Sequence, residues 1–278
     1  MKPLIRCYIP EELENRQSIT ITGADAHHLV HVLRIQPGAE ILLFDQGGRE
    51  RRAVVTATGR TWLAADIGES ICSIASENQL RVVLFQGMPK ADKLELIIQK
   101  GSELGLAAVY PVLSARAVSK PDVHQLEHKL ARWRKIAVEA SKQCRRATVT
   151  TIEPPLNLEQ SLAAAQAVPL ILMPWEEERA TGLQQVIHSW PEPPPTAVAL
   201  LVGPEGGWEQ TEVTAAVAQG AIPVTLGPRI LRTETVALVM LSILMYEWGE
   251  LGGRKHDVRQ PCRSADCGPN VGLQGEPA

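Results

Sequence analysis

Two stretches of the chain set glycine and proline where an apolar run stops. In LLVGPEGGWEQTE (200–212) the run Leu200–Val202 gives way to Gly203, Pro204, Glu205, Gly206 and Gly207. In VTLGPRILRTET (224–235) it gives way to Gly227 and Pro228, and Arg232 and Thr233 precede the next apolar run. A third run, LILMPW, stops at Met173 and Pro174. Glycine lets a ligand approach the backbone closely and tolerates positive φ. The N–H groups that open the following helix are free to meet polar ligand atoms. Neither Gly-Pro loop has the G-x-x-x-x-G-K-[ST] or G-x-G-x-x-G spacing of a phosphate cradle. No lysine follows either loop, and the Glu205 carboxylate would repel phosphate. The loops suit a neutral or cationic ligand whose hydrogen-bonding edges are read by backbone. Plain strand-to-helix turns would use the same residues, but two such loops in one sheet favour a ligand site.

The elements that must position these loops follow from periodicity. Apolar runs at 80–88, 107–114, 169–175, 196–203 and 222–227 read as strands. Helical patterns at 90–105, 124–144, 157–167, 181–190, 210–220 and 233–251 separate or follow them, with a short strand in TVTTIEP. Alternation of this kind predicts an α/β domain with a parallel sheet covered on both faces. Ligands then collect beyond the carboxyl ends of the strands. Residues 1–74 have a different rhythm. Short alternating strands with hairpin turns at Gly47-Gly48 and Gly59-Arg60 surround one helix in TGADAHHLVHVLRIQPG. Thr22 is placed to cap that helix, with Asp25 three residues on. This predicts a small β-barrel-like module. ICSIASENQ reads as a linker. The organisation expected is 1–74, 75–251 and a disordered tail at 252–278, which is rich in Gly, Pro and charge.

Net charge is −3, yet it is unevenly spread. Residues 86–150 carry 12 Lys and Arg against 6 Asp and Glu, whereas residues 151–251 carry 3 against 12. One face of a mildly acidic protein can focus a polyanion in this way. A solvated basic helix beside an acidic one would give the same counts. Five scattered cysteines show no disulfide-framework spacing, which suits a reducing compartment. The first residues carry no secretory signal, and no apolar run reaches the roughly 20 residues of a spanning helix. A soluble, cytoplasmic protein without a membrane partner is expected. His27 and His31 are one turn apart, but no third ligand or H-E-x-x-H accompanies them. His256, Cys262 and Cys267 lie in the tail, so no metal site is assigned.

The two Gly-Pro loops together closely resemble the C-terminal domain of the SPOUT superfamily of methyltransferases. The best match is the family that methylates N3 of a uridine in 16S ribosomal RNA. KADKLELIIQKGSELG and EASKQCRR look like that family's helices, and HHLVHVLRIQPG looks like its PUA-like RNA-binding domain. The likeness spans about residues 1–250. It implies a PUA-like β-barrel followed by a parallel sheet whose C-terminal segment is threaded into a trefoil knot. It implies S-adenosyl-L-methionine at Met173, Pro174, Gly203, Pro204, Gly206, Gly207, Leu226, Gly227, Ile230, Leu231 and Thr233. Glu205 would help the sulfonium electrostatically. Arg232 is the first candidate to stabilise charge on the uracil, and a phosphate or backbone anchor is its competing role. The base that removes the N3 proton stays open between Glu205, Glu234 and water.

Arg6, Arg34, Lys90, Arg145 and Arg146 are the main RNA-binding candidates, followed by Lys93 and the other cations of 86–150. The expected substrate is 16S rRNA in the 30S subunit. A homodimer is expected through the last helix, which is apolar nearly all round, and in the family one subunit's barrel presents RNA to the other's cofactor. The alternatives are a SPOUT enzyme acting on another RNA and a non-enzymatic ribosome-binding factor. Two departures stand out. Glu209 sits where relatives carry Ser or Thr, so a looser helix start is expected there. ATVTTIEPP after Arg146 lacks the expected proline.

Overall fold

A computed structural model describes residues 4–71, 80–117, 123–249 and 251, with backbone only at 123–125. The expected tail and most of the linker lie outside the described residues. Two compact units result. The first comprises the described residues up to 71 together with Arg145–Thr148, and the second comprises the rest.

In the first unit, β1 (Ile5–Ile9), β2 (Ser18–Thr22), β3 (Glu40–Asp45), β4 (Glu50–Thr58) and β5 (Trp62–Ile71) form one sheet in the order β1-β3-β4-β5-β2. β1 pairs parallel with β3, and the other pairs are antiparallel. Alternation decides the faces. Ile19 and Ile21 of β2 are buried while Ser18, Thr20 and Thr22 are exposed. Register shifts between Arg51 and Ala53 and between Val55 and Ala57 bend the ladder. β1 and β2 stand at opposite edges, so the sheet is open among the described residues rather than a closed barrel.

The expected helix is α1 (Gly23–His27) running into a π-helical turn at His28–Val32. Thr22 occupies the N-cap position but makes no side-chain bond there, so the expected cap does not form. Buried charge in this unit is paired. Asp45 accepts from the N–H groups of Leu13 and Arg49, each at 3.0 Å. Buried Glu50 lies 2.5 Å from Arg6.

The second unit is a sheet of β6 (Arg81–Gly87), β7 (Ala108–Leu113), β8 (Thr151–Ile152), β9 (Leu156–Asn157), β10 (Leu170–Pro174), β11 (Ala197–Val202) and β12 (Ala221–Val224). Its order is β12-β10-β11-β6-β7-β8, with β9 also on β7, and every pairing is parallel. The helices are α2 (Lys93–Glu103), α3 (Val123–Cys144), α4 (Leu158–Ala165), α5 (Leu183–Ser189), α6 (Gln210–Ala218) and α7 (Thr233–Glu247).

Apolar residues on both faces of each central strand demand cover on both sides. Val82 and Leu84 of β6, with Leu170, Leu172 and Leu200, join a core with α2, α3, α5 and α7. Val83 and Phe85, with Ile171, Ala199 and Leu201, join a second core with α4 and α6. Each fully buried Leu or Phe contributes roughly 1.5–3 kcal/mol by area, so this sheet is a rigid base for its loops. α2 begins three residues later than periodicity suggests. Ala91 just before it adopts φ 53°, which a helix cannot contain. β9 falls in a stretch where periodicity indicates no strand.

Candidate active site

The strands that end in the three unusual loops are neighbours. β12, β10 and β11 lie side by side and parallel, so Val224, Pro174 and Val202 end at one edge of the sheet. The chain leaves β12 through residues 225–232, and Thr233 then sits beside the far strands. The Thr233 hydroxyl donates to the Gly203 carbonyl at 2.6 Å and accepts from Gln86 Nε2 at 2.8 Å. Gln86 Nε2 also reaches the carbonyls of Gly87 and Gly203, at 3.0 and 3.3 Å. Gln86 is fully buried and follows the apolar run Val82–Phe85 of β6. Sequence reasoning missed it, although a buried amide among valines and leucines was the available signal.

Glycine has distinct uses here. A Cβ on Gly87 would lie 2.5 Å from Pro204 Cδ and 2.9 Å from the Gly203 carbonyl carbon, so β6 and the loop after β11 touch backbone to backbone. Positive φ belongs to Gly207 (70°) and Gly227 (100°) and not to Gly206. Gly206 is instead packed against Arg116, whose Cβ would be 3.2 Å from an added methyl. The Glu176 carboxyl carbon stands 3.0 Å from where a Gly207 Cβ would be.

Protein contacts hold the Gly203–Gly207 loop at several points. Arg116 Nη1 donates to the Gly206 carbonyl at 2.9 Å. Glu205 accepts from the Lys90 N–H at 3.0 Å and pairs with Lys93 Nζ at 2.9 Å. Lys93 also reaches Glu234 in the first turn of α7, at 3.3 Å. Burial alone would raise the Glu205 carboxyl. The bonds from Lys93 and the Lys90 N–H outweigh it and hold the group below the usual carboxylate range. The bond to Glu205 in turn raises the Lys93 ammonium. Glu205 and Glu234, two of the three expected proton acceptors, are therefore both engaged by one lysine.

Helix α6 starts firmly for a reason the sequence obscured. The Glu212 carboxylate accepts from the N–H of Glu209 at 2.9 Å and from that of Ala115 at 2.8 Å. Glu209 and Glu212 thus form a reciprocal capping box, so the looser helix start expected at Glu209 does not arise. After β10, Glu178 closes a tight turn by accepting from the Ala180 and Thr181 N–H groups, at 2.6 and 2.9 Å, and these bonds lower its carboxyl.

The loop after β12 is held far less. Ile230 is 87% exposed, and Gly227 and Arg232 are also exposed. The Gly227 N–H meets the Thr225 hydroxyl at 3.2 Å. Among the described residues, no hydrogen bond is made by the N–H groups of Leu226, Ile230 or Leu231, nor by the Arg232 side chain. Met173 is buried beneath the loops, Pro174, Gly203 and Leu231 are half-buried, and Pro204 and Thr233 are buried. Three buried polar atoms without partners belong to residues at or next to these strand ends: Gln86 Oε1, Trp175 Nε1 and Trp208 Nε1. Orphan donors, an orphan acceptor and open backbone amides around an apolar floor fit an adenosine-bearing ligand with a cationic centre.

The expected RNA contacts separate into two kinds. Arg6 is committed to protein. It pairs with Glu50, lies 4.7 Å from the centre of the Phe44 ring, and donates to the Arg146 carbonyl at 2.6 Å. Arg146 itself reaches the Thr148 hydroxyl at 3.2 Å. Arg34, Lys90 and Arg145 are exposed, and both arginines adopt left-handed backbone at φ 53° and 64°. The rings of His27 and His31 are 4.7 Å apart, and His31 Nε2 is 2.7 Å from the Arg60 carbonyl oxygen. Among the described residues no group of three His, Cys, Asp or Glu could hold a metal.

Comparison with known proteins places this arrangement. Residues 76–245 match the RNA methyltransferase domain family, and residues 21–63 match the RNA methyltransferase PUA domain. The ribosomal RNA small subunit methyltransferase E of Bacillus subtilis is 34% identical over 250 residues, covering 87% of this chain and 95% of the relative. The Synechocystis protein of the same name is 33% identical, covering 82% of this chain and 74% of its own length. A Neisseria gonorrhoeae ribosomal RNA small subunit methyltransferase E, solved bound to S-adenosyl methionine, superposes with a TM-score of 0.77. It is 30% identical over 90% of this chain and all of that one. A Legionella pneumophila protein solved with the same cofactor gives a TM-score of 0.79 at 30% identity, again over 90% of this chain and all of that one.

Proposed function

The chain belongs to the RNA methyltransferase family of the SPOUT superfamily, and from that premise we propose that it transfers a methyl group from S-adenosylmethionine to N3 of a uridine in 16S ribosomal RNA within the 30S subunit. One observation carries the reading. Three adjacent parallel strands end in backbone-lined loops, in a chain that matches named small-subunit methyltransferases over most of its length.

Bound S-adenosylmethionine supplies an electrophilic methyl on a sulfonium. Met173, Pro174, Gly203, Pro204, Gly206 and Gly207 would form one wall for it. Leu226, Gly227, Ile230, Leu231 and Thr233 would form the other, offering open N–H groups to the adenine edge. The Glu176 carboxylate beside Gly207 is placed to favour the cationic part. Glu205 has a different job in this reading, because Lys93 already neutralises it: it ties the loop to the start of α2. Uracil N3–H is weakly acidic and attack requires its loss. Arg232, free of protein partners at the mouth of the second loop, stabilises the charge that develops on a uracil oxygen. With Glu205 and Glu234 held by Lys93, solvent water takes the proton.

Further parts of the reading rest on the fold. The segment leaving edge strand β12 passes beyond β10 and β11 to deliver Thr233 beside β6, which supports a knotted C-terminal segment. Leu238 and Ile243 of α7 are only half-buried, and Tyr246 is largely exposed, which supports a homodimer through that helix. No described helix is long and apolar enough to cross a membrane, and a ribosomal RNA substrate supports work in the cytoplasm. A methyl-transfer assay on 30S subunits from cells lacking the modification, with mapping of the product base, tests the reading. One labelled uridine carrying the methyl on N3 is expected. Label on another RNA, or none despite cofactor binding, would overturn it.

A further inference from the structure

Trp62 is unused by the site above. It opens β5, pairs across the ladder with Thr22, and is 40% exposed. A Cβ on Gly59 would fall 2.5 Å from Cε2 and 2.8 Å from Cδ1 of its indole. The ring therefore lies on the glycine backbone, supported on one side and open on the other. The Gly59 N–H donates to the Trp62 carbonyl at 2.9 Å and closes the hairpin tip beneath the ring. His31 holds the same tip through the Arg60 carbonyl at 2.7 Å, and His27 packs on His31. Beyond them the π-helical turn ends with Val32 60% exposed and then Leu33, followed by exposed Arg34 with left-handed backbone.

A supported, outward-facing indole would be unfavourable to leave in water without a purpose. The hairpin tip itself carries exposed Arg60, and the turn whose His31 holds that tip runs on to exposed Arg34. The carboxylates on the adjoining elements are Asp25 in α1, Asp66 and Glu69 further along β5, and Glu50 at the far end of β4, where Arg6 pairs with it. An exposed ring on a hairpin tip that also carries an exposed arginine suits an unstacked base with flanking phosphates. A protein partner would instead need a broader apolar patch.

We propose that Trp62, seated on Gly59, is a stacking platform for an unpaired base of the ribosomal RNA substrate, with Arg34 and Arg60 meeting the neighbouring phosphates. The inference rests on the reading of the chain as a ribosomal RNA methyltransferase and names where it grips that RNA. Base–aromatic stacking supports about a tenfold change in affinity. The test is methyl transfer to unmodified 30S subunits by the full-length protein, with thermal melts of every variant.

Trp62→Ala should raise KM for the 30S subunit about tenfold, with kcat at saturation within about twofold. Trp62→Phe should restore most of the loss. Gly59→Ala should imitate Trp62→Ala by lifting the ring. Sedimentation and cofactor affinity should not change. An unaltered KM in Trp62→Ala would overturn the platform and leave the methyltransferase reading intact. So would a loss that Phe does not rescue, or a changed oligomeric state, which would make the patch a protein interface. A wild-type protein that methylates no 30S subunit would instead overturn the functional reading, and the platform with it.

Discussion

The two Gly-Pro loops look alike in sequence and differ in how the protein holds them. Both follow an apolar strand, both run Gly-Pro into a polar turn, and both lead to a helix. The Gly203–Gly207 loop is fixed by Arg116, by the Lys90 N–H, by Lys93 and by backbone contact with Gly87. The loop from Leu226 to Arg232 leaves the N–H groups of Leu226, Ile230 and Leu231 and the Arg232 side chain without protein partners among the described residues, and only the Gly227 N–H is met, by the Thr225 hydroxyl. One wall is preorganised by the fold, and the other has its polar groups left for ligands. Glu205 illustrates the lesson. A carboxylate in a glycine loop invites an electrostatic role toward a cationic ligand, yet its charge is spent on Lys93.

The comparison breaks most visibly at Arg232. Arg232→Ala should lower single-turnover methyl transfer by about 10²–10³. Cofactor affinity, melting temperature and the salt slope of 30S binding should stay near wild type. Weaker 30S binding with a salt slope smaller by about one would make Arg232 a phosphate anchor and remove it from the chemistry.

Adding one methyl to the β6 glycine on which the first loop rests, and one to a glycine within the second loop, sharpens the contrast. Gly87→Ala drives a Cβ into Pro204 and the Gly203 backbone, and should destabilise the fold by about 1–3 kcal/mol, as overpacking does. Gly227 has nothing within 4 Å of an added Cβ but sits at φ 100°. Gly227→Ala should cost about 1 kcal/mol of backbone strain and act mainly on cofactor affinity. Denaturant melts with and without cofactor distinguish the two. Equal stability losses at both positions would contradict the division between a fixed wall and an open one.

The smallest effect concerns the ion pairs. Glu205 and Lys93 retain some solvent contact, with side chains 24% and 27% exposed. Glu205→Gln should cost about 1 kcal/mol or less. Its pH dependence carries a sign. The Glu205 carboxyl is lowered on folding, so its contribution is present above the ordinary carboxylate value of 4.5 and is lost as pH falls through the lowered value. The Lys93 ammonium is raised, so its contribution is complete below the ordinary lysine value near ~10.4 and is lost as pH rises past the raised value. The stability gap between wild type and Glu205→Gln should therefore be flat between about pH 5 and 9 and narrow at both extremes. A gap that changes through neutrality would implicate another group.

What the sequence made legible follows from range. Apolar runs and helical spacing are local, so β6, β7, β10, β11 and β12 and their helices lie close to the expected positions. The convergence of Met173, Gly203 and Gly227 was legible because parallel sheets collect ligands at one edge. The partners of Glu205 were not, since Lys90 is 115 residues away in the chain and the pairing exists only once β6 lies beside β11. Arg6 looked like a surface cation, but stacking on Phe44 and pairing with Glu50 depend on the β1–β3–β4 order. The π-helical turn at His28–Val32 has the same residue spacing as an ordinary helix, so nothing local distinguishes it. Thr22 satisfied a capping pattern, and the chain entered the helix through Gly23 at φ 71° without that bond.

The bond from Gln86 to Thr233 spans 147 residues. A chain growing from its N-terminus can complete β6 and the sheet around it while the partner hydroxyl is still unsynthesised. That closure is an event of high contact order, and such events are slow. Cofactor affinity should thus arrive late in the life of a nascent chain, together with the α7 face of the core. A truncation ending before residue 233 would then lack both the site and the helix that covers one face of the sheet.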